Sequence, residues 1–206
     1  MADIRLGGLQ RLSSCDWPGE LVATLFLQGC SWNCPYCHNP HLIPAQAAGM
    51  LSWDEVLAFL AARRGLLDGV VFSGGEPTLQ RELPEAMKAV RGLGFKIGLH
   101  TAGPYPTRLA AALPFCDWVG FDVKAPFAEY RRVTGVPGSG ERARRSLALL
   151  LASGLACQVR TTVDPSLLDA AAVARMGAEL LALGVTRHVL QEFRLAGTRP
   201  ERPVHG

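Results

Sequence analysis

The sequence has no long hydrophobic run. Its longest apolar stretch, 147–156, is broken by Ser153 and Gly154 and falls short of the roughly 20 residues a membrane helix needs. The opening Met1-Ala2-Asp3-Ile4-Arg5 has no apolar segment of the kind a secretory signal carries. Neither sign of charge dominates: 21 basic and 18 acidic residues leave a formal net charge of +3, too balanced to argue for nucleic acid. Repeats, low-complexity tracts and internal linkers are missing as well. These absences describe a chain expected in the cytoplasm, touching neither membrane nor nucleic acid. With 206 residues, 49% hydrophobic and 19% charged, disorder, collagen and coiled coil are excluded. A chain this long buries roughly 70% of its unfolded surface and folds as one domain, or at most two small ones, without a covalent staple.

What is present is a recurring unit of apolar strand, Gly-rich turn and amphipathic helix. Strands are expected at 21–27, 69–73, 95–99, 118–123, 155–163 and 188–193, because each is a short apolar run bounded by turn residues. Helices are expected between them. One spans 52–64, opened by the capping box Ser52-Trp53-Asp54-Glu55. The others run from Pro84 to about Gly92, briefly after Pro106, over 141–152 and over 167–183. Alternating strands and helices predict parallel β-structure with right-handed crossovers. A complete eight-unit barrel takes about 250 residues, so six units predict an open, partial (β/α)6 barrel. The domain is placed at 1–193, and 194–206, with Pro200 and Pro203, reads as a flexible tail. In such a fold chemistry gathers at the C-terminal strand ends. Those ends carry a cysteine loop, Gly74-Gly75-Glu76-Pro77, His100-Thr101, Asp122-Val123-Lys124, Arg160 and Gln191-Glu192.

Six cysteines are present: Cys15, Cys30, Cys34, Cys37, Cys116 and Cys157. A reducing compartment disfavours disulfides, and three of the six crowd into 30–37, which reads as a metal or redox site. Cys116 and Cys157 read as small buried hydrophobes. Four chemistries compete for the loop 28–40. Cys34-Pro35-Tyr36-Cys37 has the form of a redox dithiol, but the helix such a motif opens would be interrupted by Pro40 and Pro44, and Cys30 would have no role. Cys34 to His38 spells a covalent haem attachment site, for which an exported chain is usual. Zinc on Cys30, Cys34, Cys37 and His38 would need adjacent residues to reach one tetrahedral ion, where zinc sites more often pair two separated couples. An iron–sulfur cubane needs one thiolate per iron on a tightly wrapped loop. Three thiolates would leave its fourth iron open to a ligand.

The pattern Cys-x3-Cys-x2-Cys after a first strand, with Tyr36 just before the last cysteine, resembles the radical S-adenosylmethionine (radical SAM) enzymes. Gly74-Gly75-Glu76-Pro77 resembles their methionine-binding motif. Asp16-Trp17-Pro18-Gly19, Gln28-Gly29-Cys30, Tyr36-Cys37-His38-Asn39-Pro40, Ser73-Gly74-Gly75-Glu76-Pro77 and Asp122-Val123-Lys124 together are similar to glycyl-radical-enzyme activases. Within these the chain is most similar to activators of anaerobic ribonucleoside-triphosphate reductase. The resemblance implies a [4Fe–4S] cluster on Cys30, Cys34 and Cys37, with S-adenosylmethionine chelating the open iron. It further implies backbone at Gly74, Gly75 and Glu76 for the methionine ammonium, where a side chain would block the approach. Lys124 would neutralise the methionine carboxylate and Asp122 would orient Lys124 or bind ribose. Tyr36, Arg160 and Gln191 would contact adenine or ribose. His100-Thr101-Ala102-Gly103 departs from the Asp-Thr-Asn-Gly of many activases, which puts a cation site beside the cofactor in doubt. His100 reads equally as a cofactor contact and as a strand-end histidine bonded to backbone. The implied partners are a glycyl-radical enzyme, as hydrogen donor, and flavodoxin or ferredoxin, as electron donor. The same partial barrel serves radical enzymes acting on small molecules such as deazaguanine precursors, and a zinc-binding module remains a third reading. Arg131, Arg132, Arg142, Arg144 and Arg145 form a basic cluster that reads as a solvated helix face or as a docking patch for an acidic protein.

Overall fold

A computed structural model describes residues 4–47, 51–199 and 203. Seven strands form one sheet in chain order: β1 (Leu6–Ser13), β2 (Val22–Leu27), β3 (Gly69–Gly74), β4 (Lys96–Thr101), β5 (Trp118–Asp122), β6 (Ala156–Val163) and β7 (His188–Glu192). From β2 to β7 every neighbour is parallel. This gives the six-stranded open partial barrel expected, and β1 adds an antiparallel edge beside β2. Neither apolar runs nor alternation announce β1, which contains Gly7 and Gly8 and is half exposed.

The helices are α1 (Trp53–Ala61), α2 (Leu83–Gly92), α3 (Pro106–Ala112), α4 (Tyr130–Thr134), α5 (Ser139–Ala152) and α6 (Ala170–Ala182). The expected capping box is formed: Ser52 Oγ accepts from the Glu55 N–H, and Glu55 Oε2 accepts from the Ser52 N–H, both at 3.1 Å. α6 starts later than its apolar pattern suggests because Asp169 caps it, accepting from the Ala172 N–H at 2.7 Å. Among the described residues no helix is long and apolar enough to cross a membrane.

The strand period of two splits the core into two layers. Outward residues such as Leu25, Phe72, Leu99, Phe121 and Val159 are buried beneath the helices. Each fully buried Leu or Phe contributes roughly 1.5–3 kcal/mol. Inward residues are fewer and smaller. At the lower end of the barrel Trp17 stacks on Trp118 with ring centroids 5.5 Å apart, packed with Val22 and Val71. Gly69 and Gly98 leave room for the Trp17 ring. The lumen is therefore stoppered by an indole pair below, and its polar residues lie above.

Candidate active site

The loop after β2 is held by backbone groups and by two glutamine side chains, not by its thiols. Gly29 N–H donates to Leu42 O at 2.7 Å and Cys30 N–H to Ile43 O at 3.0 Å. Gln28 Nε2 donates to His41 O and Pro44 O at 3.0 and 2.7 Å, and Gln80 Nε2 donates to Gln28 O at 2.9 Å. The turn after β3 locks onto the same loop: Gly75 N–H donates to Leu27 O and Glu76 N–H to Gly29 O, both at 2.9 Å. A Cβ on Gly74 would lie 2.2 Å from the Leu27 nitrogen, and one on Gly75 would lie 2.3 Å from Gly29 O. The glycines are thus required first by the approach of two backbones, a different reason from the ligand clearance the sequence suggested.

Glu76 is buried and its carboxylate organises the floor. Oε1 accepts from the Thr78 N–H (3.0 Å), Thr78 Oγ1 (2.5 Å) and Thr101 Oγ1 (2.7 Å), while Oε2 accepts from the Ala102 N–H (3.0 Å). Burial pushes its carboxyl above the ordinary value, opposed by these hydrogen bonds. The Glu76 side chain is therefore a structural tie between β3 and the end of β4.

Cys30, Cys34, Cys37, Tyr36, Gly74, Gly75, Glu76, His100, Thr101, Asp122, Lys124 and Arg160 all line one cavity of about 210 Å³. Gln191 does not. It pairs with Thr162 across β6–β7 but stands exposed on the open edge strand, one strand beyond the lining. The structure does not bring Gln191, expected to contact adenine or ribose, together with the other candidate residues in this cavity. Trp32, His38, Asn39, Ser73, Ala102 and Thr162 line the cavity too. Ser73 precedes the glycine turn, and Thr162 follows from Arg160 by the strand period of two. Beside the site, the described part of the C-terminal segment, 194–199, lies against the cysteine loop rather than away from it. Arg194 O bonds His38 Nε2 at 2.9 Å and Arg199 donates to Asn33 Oδ1. Beyond 199, all of the expected flexible tail except Pro203 lies outside the described residues.

Charge is unbalanced on one wall of the cavity. Asp122 Oδ1 accepts from Arg160 Nε at 2.5 Å, and Oδ2 lies 3.4 Å from Lys124 Nζ. Burial would raise the Asp122 carboxyl, but Arg160 and then Lys124 outweigh it and hold it well below the usual range. Burial would likewise lower Lys124, and Asp122 reverses this. Two cations share the Asp122 carboxylate, which leaves this local group with about one net positive charge, while the Glu76 carboxylate lines another part of the cavity on its own hydrogen bonds. The Asp122 group is not the surface ion pair that two nearby opposite charges usually form.

His100 turns out to be both things the sequence allowed. It lines the cavity, and its ring is held by one backbone and one side-chain partner: Nε2 lies 2.7 Å from Asp16 O and Nδ1 lies 3.2 Å from Ser73 Oγ. A carbonyl only accepts, so Nε2 carries the hydrogen and Nδ1 accepts from Ser73. Burial and then the Arg160 guanidinium push its pKa from 6.5 down to about 4. The unfolded chain then binds the extra proton between these values, so His100 favours folding fully above about pH 6.5, and this contribution is lost as pH falls toward 4. Between pH 7.5 and 5 the loss is about 2 kcal/mol. Urea unfolding at both pH values should show the wild type losing that much more stability than His100→Gln; equal losses would remove His100 as the source.

The residues present fit an iron–sulfur cluster and a nucleoside ligand. Burial pushes the Cys30 thiol up to about 12 and the Cys34 thiol to about 11. Clustered buried thiols are poor thiolates by themselves and become good ones only against metal charge. Among the described residues no three His, Cys, Asp or Glu side chains converge on a site for a single ion, and His38 Nε2 is turned to Arg194 O. That geometry does not suit the zinc reading, whereas a cluster takes each thiolate at a different iron. Among the described residues Tyr36 OH and Trp32 Nε1 are buried without a hydrogen-bond partner on residues of the cavity wall, as polar atoms awaiting a ligand would be.

The family model described as the radical SAM superfamily matches residues 24–174. The chain belongs to the radical SAM superfamily. A radical SAM protein uses a [4Fe–4S] cluster and S-adenosylmethionine. Among curated relatives, a protein of Methanocaldococcus jannaschii named as a glycyl-radical enzyme activating enzyme is 30% identical, over 80% of this chain and 70% of that one. The pyruvate formate-lyase-activating enzyme of Clostridium pasteurianum is 29% identical, over 80% and 71%. Similar solved structures include native anSMEcpe with bound AdoMet, with a TM-score of 0.65, 16% identity and coverage of 81% and 49%. Another is Streptococcus suis SuiB, with a TM-score of 0.63, 14% identity and coverage of 85% and 40%. The chain spans less than half of either solved chain, and these likenesses show the partial-barrel fold.

Proposed function

We propose that this radical SAM enzyme is a glycyl-radical-enzyme activase, which removes a hydrogen atom from a backbone glycine of a partner protein. The observation that carries the reading is the convergence of Cys30, Cys34 and Cys37 with the cationic Asp122–Lys124–Arg160 group in one cavity. It is supported by the names of the relatives. When bound, the reduced cluster and S-adenosylmethionine supply a 5′-deoxyadenosyl radical. Cys30, Cys34 and Cys37 would hold three irons. Lys124, with Arg160 shared through Asp122, would take a carboxylate into the surplus positive charge. The N–H groups of Gly75 and Glu76 are engaged with Leu27 and Gly29, so this turn offers a ligand ammonium carbonyl oxygen. Tyr36 and Thr101 would flank the nucleoside, and His100, neutral and fixed by Asp16, would shape the wall without adding charge. Trp17 and Trp118 keep water from entering below, which protects a reactive radical.

Among glycyl-radical enzymes we take anaerobic ribonucleoside-triphosphate reductase as the partner, on the resemblance of the combined motifs. The test is isotopic. The reductase, and separately pyruvate formate-lyase, would be labelled with α-deuterated glycine and mixed with this protein, S-adenosylmethionine and a reductant without oxygen. Deuterium should appear in 5′-deoxyadenosine with the reductase, alongside a carbon-centred radical on it. Transfer from the lyase alone would reassign the partner. Cleavage without label transfer, stimulated instead by a purine-like metabolite, would establish a small-molecule enzyme.

A further inference from the structure

The net charge of +3 is not spread over the molecule. Residues 129–145 contain five arginines and two glutamates, an excess of three that equals the excess of the whole chain. The remaining residues balance at 16 basic and 16 acidic. This segment forms α4, the turn after it and the first half of α5.

The two sides of α4 have different tasks. Its inner side buttresses the cysteine loop. Tyr130 meets Trp32 edge-on at 5.9 Å, and Thr134 O accepts from the Asn33 N–H at 3.1 Å. Thr134 Oγ1 and Ser139 Oγ, 2.7 Å apart, lock α4 to α5. Its outer side, continued by α5, exposes Arg131, Arg132, Arg144 and Arg145. Glu129 is shared between Arg132 and Arg175 at 3.4 and 2.6 Å. Among the described residues Arg131, Arg144 and Arg145 have no acidic partner. None of these arginines lines the cavity.

We propose that this cationic face is the docking surface for an acidic one-electron carrier protein, a reduced flavin or iron–sulfur protein. A helix is about 10 Å across, so a carrier seated there stands one helix thickness from the segment bearing Cys30 and Cys34. The proposal rests on the reading that these cysteines hold the cluster, and it is independent of which C–H bond is attacked. The step balances simply: the carrier loses one electron, the cluster gains one, and no bond or proton moves. Like-signed clustering of this kind steers an oppositely charged partner and makes its binding salt-dependent. Because the face lies off the cavity, a docked carrier leaves the mouth free for the hydrogen donor.

The test uses the cluster-loaded protein, with oxidised flavodoxin and ferredoxin as probes. The variant is Arg131→Glu/Arg145→Glu, and Arg131→Gln/Arg145→Gln serves if the first does not load its cluster. Calorimetric binding at low and moderate salt should weaken roughly tenfold or more for the glutamate pair and lose most of its salt dependence. Cluster bleaching near 400 nm should slow with a reduced carrier and keep its rate with dithionite. Unchanged carrier affinity would overturn the proposal. So would a variant that binds carriers normally and instead loses affinity for the glycyl-radical partner, since the face would then belong to that partner. Failure of deuterium transfer from glycine leaves these readouts intact, so the two readings fail separately.

Discussion

Anaerobic reconstitution of Cys34→Ala is expected to yield no stable four-iron cluster, while Cys116→Ala and Cys157→Ala load one fully. Cys34 lines the cavity with Cys30 and Cys37, and a cubane with only two protein thiolates has two unprotected irons. Cys116 is buried in the outer core, with Sγ 3.5 Å from Ala112 O, and its thiol is pushed up to about 12 by burial. It behaves as a small hydrophobe, and removing its sulfur costs about 1 kcal/mol of stability. Iron and sulfide analysis with absorbance near 400 nm reads the outcome. Full cluster content in Cys34→Ala would sink the ligand assignment.

Two glycine-to-alanine changes should move stability in opposite directions. In Gly75→Ala the new methyl would sit 2.3 Å from Gly29 O and 2.7 Å from the Gly29 carbonyl carbon. Both are backbone atoms of the cysteine loop and cannot rotate away. The loop must separate from β3, and the Glu76 N–H to Gly29 O bond goes with it. A loss of about 3 kcal/mol or more, together with poor cluster loading, is expected. In Gly177→Ala the methyl meets nothing within 4 Å inside α6. Helix propensity alone then acts, and the variant should gain up to about 1 kcal/mol. Thermal or urea unfolding of both proteins decides. An unaffected Gly75→Ala would mean that the close approach of the two backbones is not needed.

Much of this was legible in the chain. β2 to β5 are short, mostly apolar runs ending at turn residues, the mark a parallel strand buried on both sides leaves in sequence, whereas β6 and β7 are more polar and only partly buried. β1 left none, because an edge strand that contains Gly7 and Gly8 needs neither alternation nor continuous apolar character. The cavity residues were legible wherever a motif fixed their spacing, as with Cys30, Cys34, Cys37 and Gly74 to Glu76. They were also legible wherever they sat at a strand end, as with Asp122, Lys124 and Arg160. Gln191 shared that address and still fell outside, since β7 is the sheet edge and an edge strand turns away from a lumen it does not enclose. The part played by Asp16 and Trp17 was not legible. Nothing local tells that one indole will cross the barrel to stack on Trp118, or that the Asp16 carbonyl will hold the His100 ring.

That indole pair makes the barrel a cup with a floor rather than a tube. In a cup, whatever lies deepest goes in first and comes out last. On the proposed reading the nucleoside cofactor reaches down to Asp122, below the rim where a protein segment would rest. Steady-state kinetics should therefore be ordered: the small cofactor loads before the large target covers the mouth, and spent nucleoside leaves only once that target has lifted off. Turnover is then limited by the residence time of a protein on the rim, so an activator of this shape is suited to working on its target once and moving on.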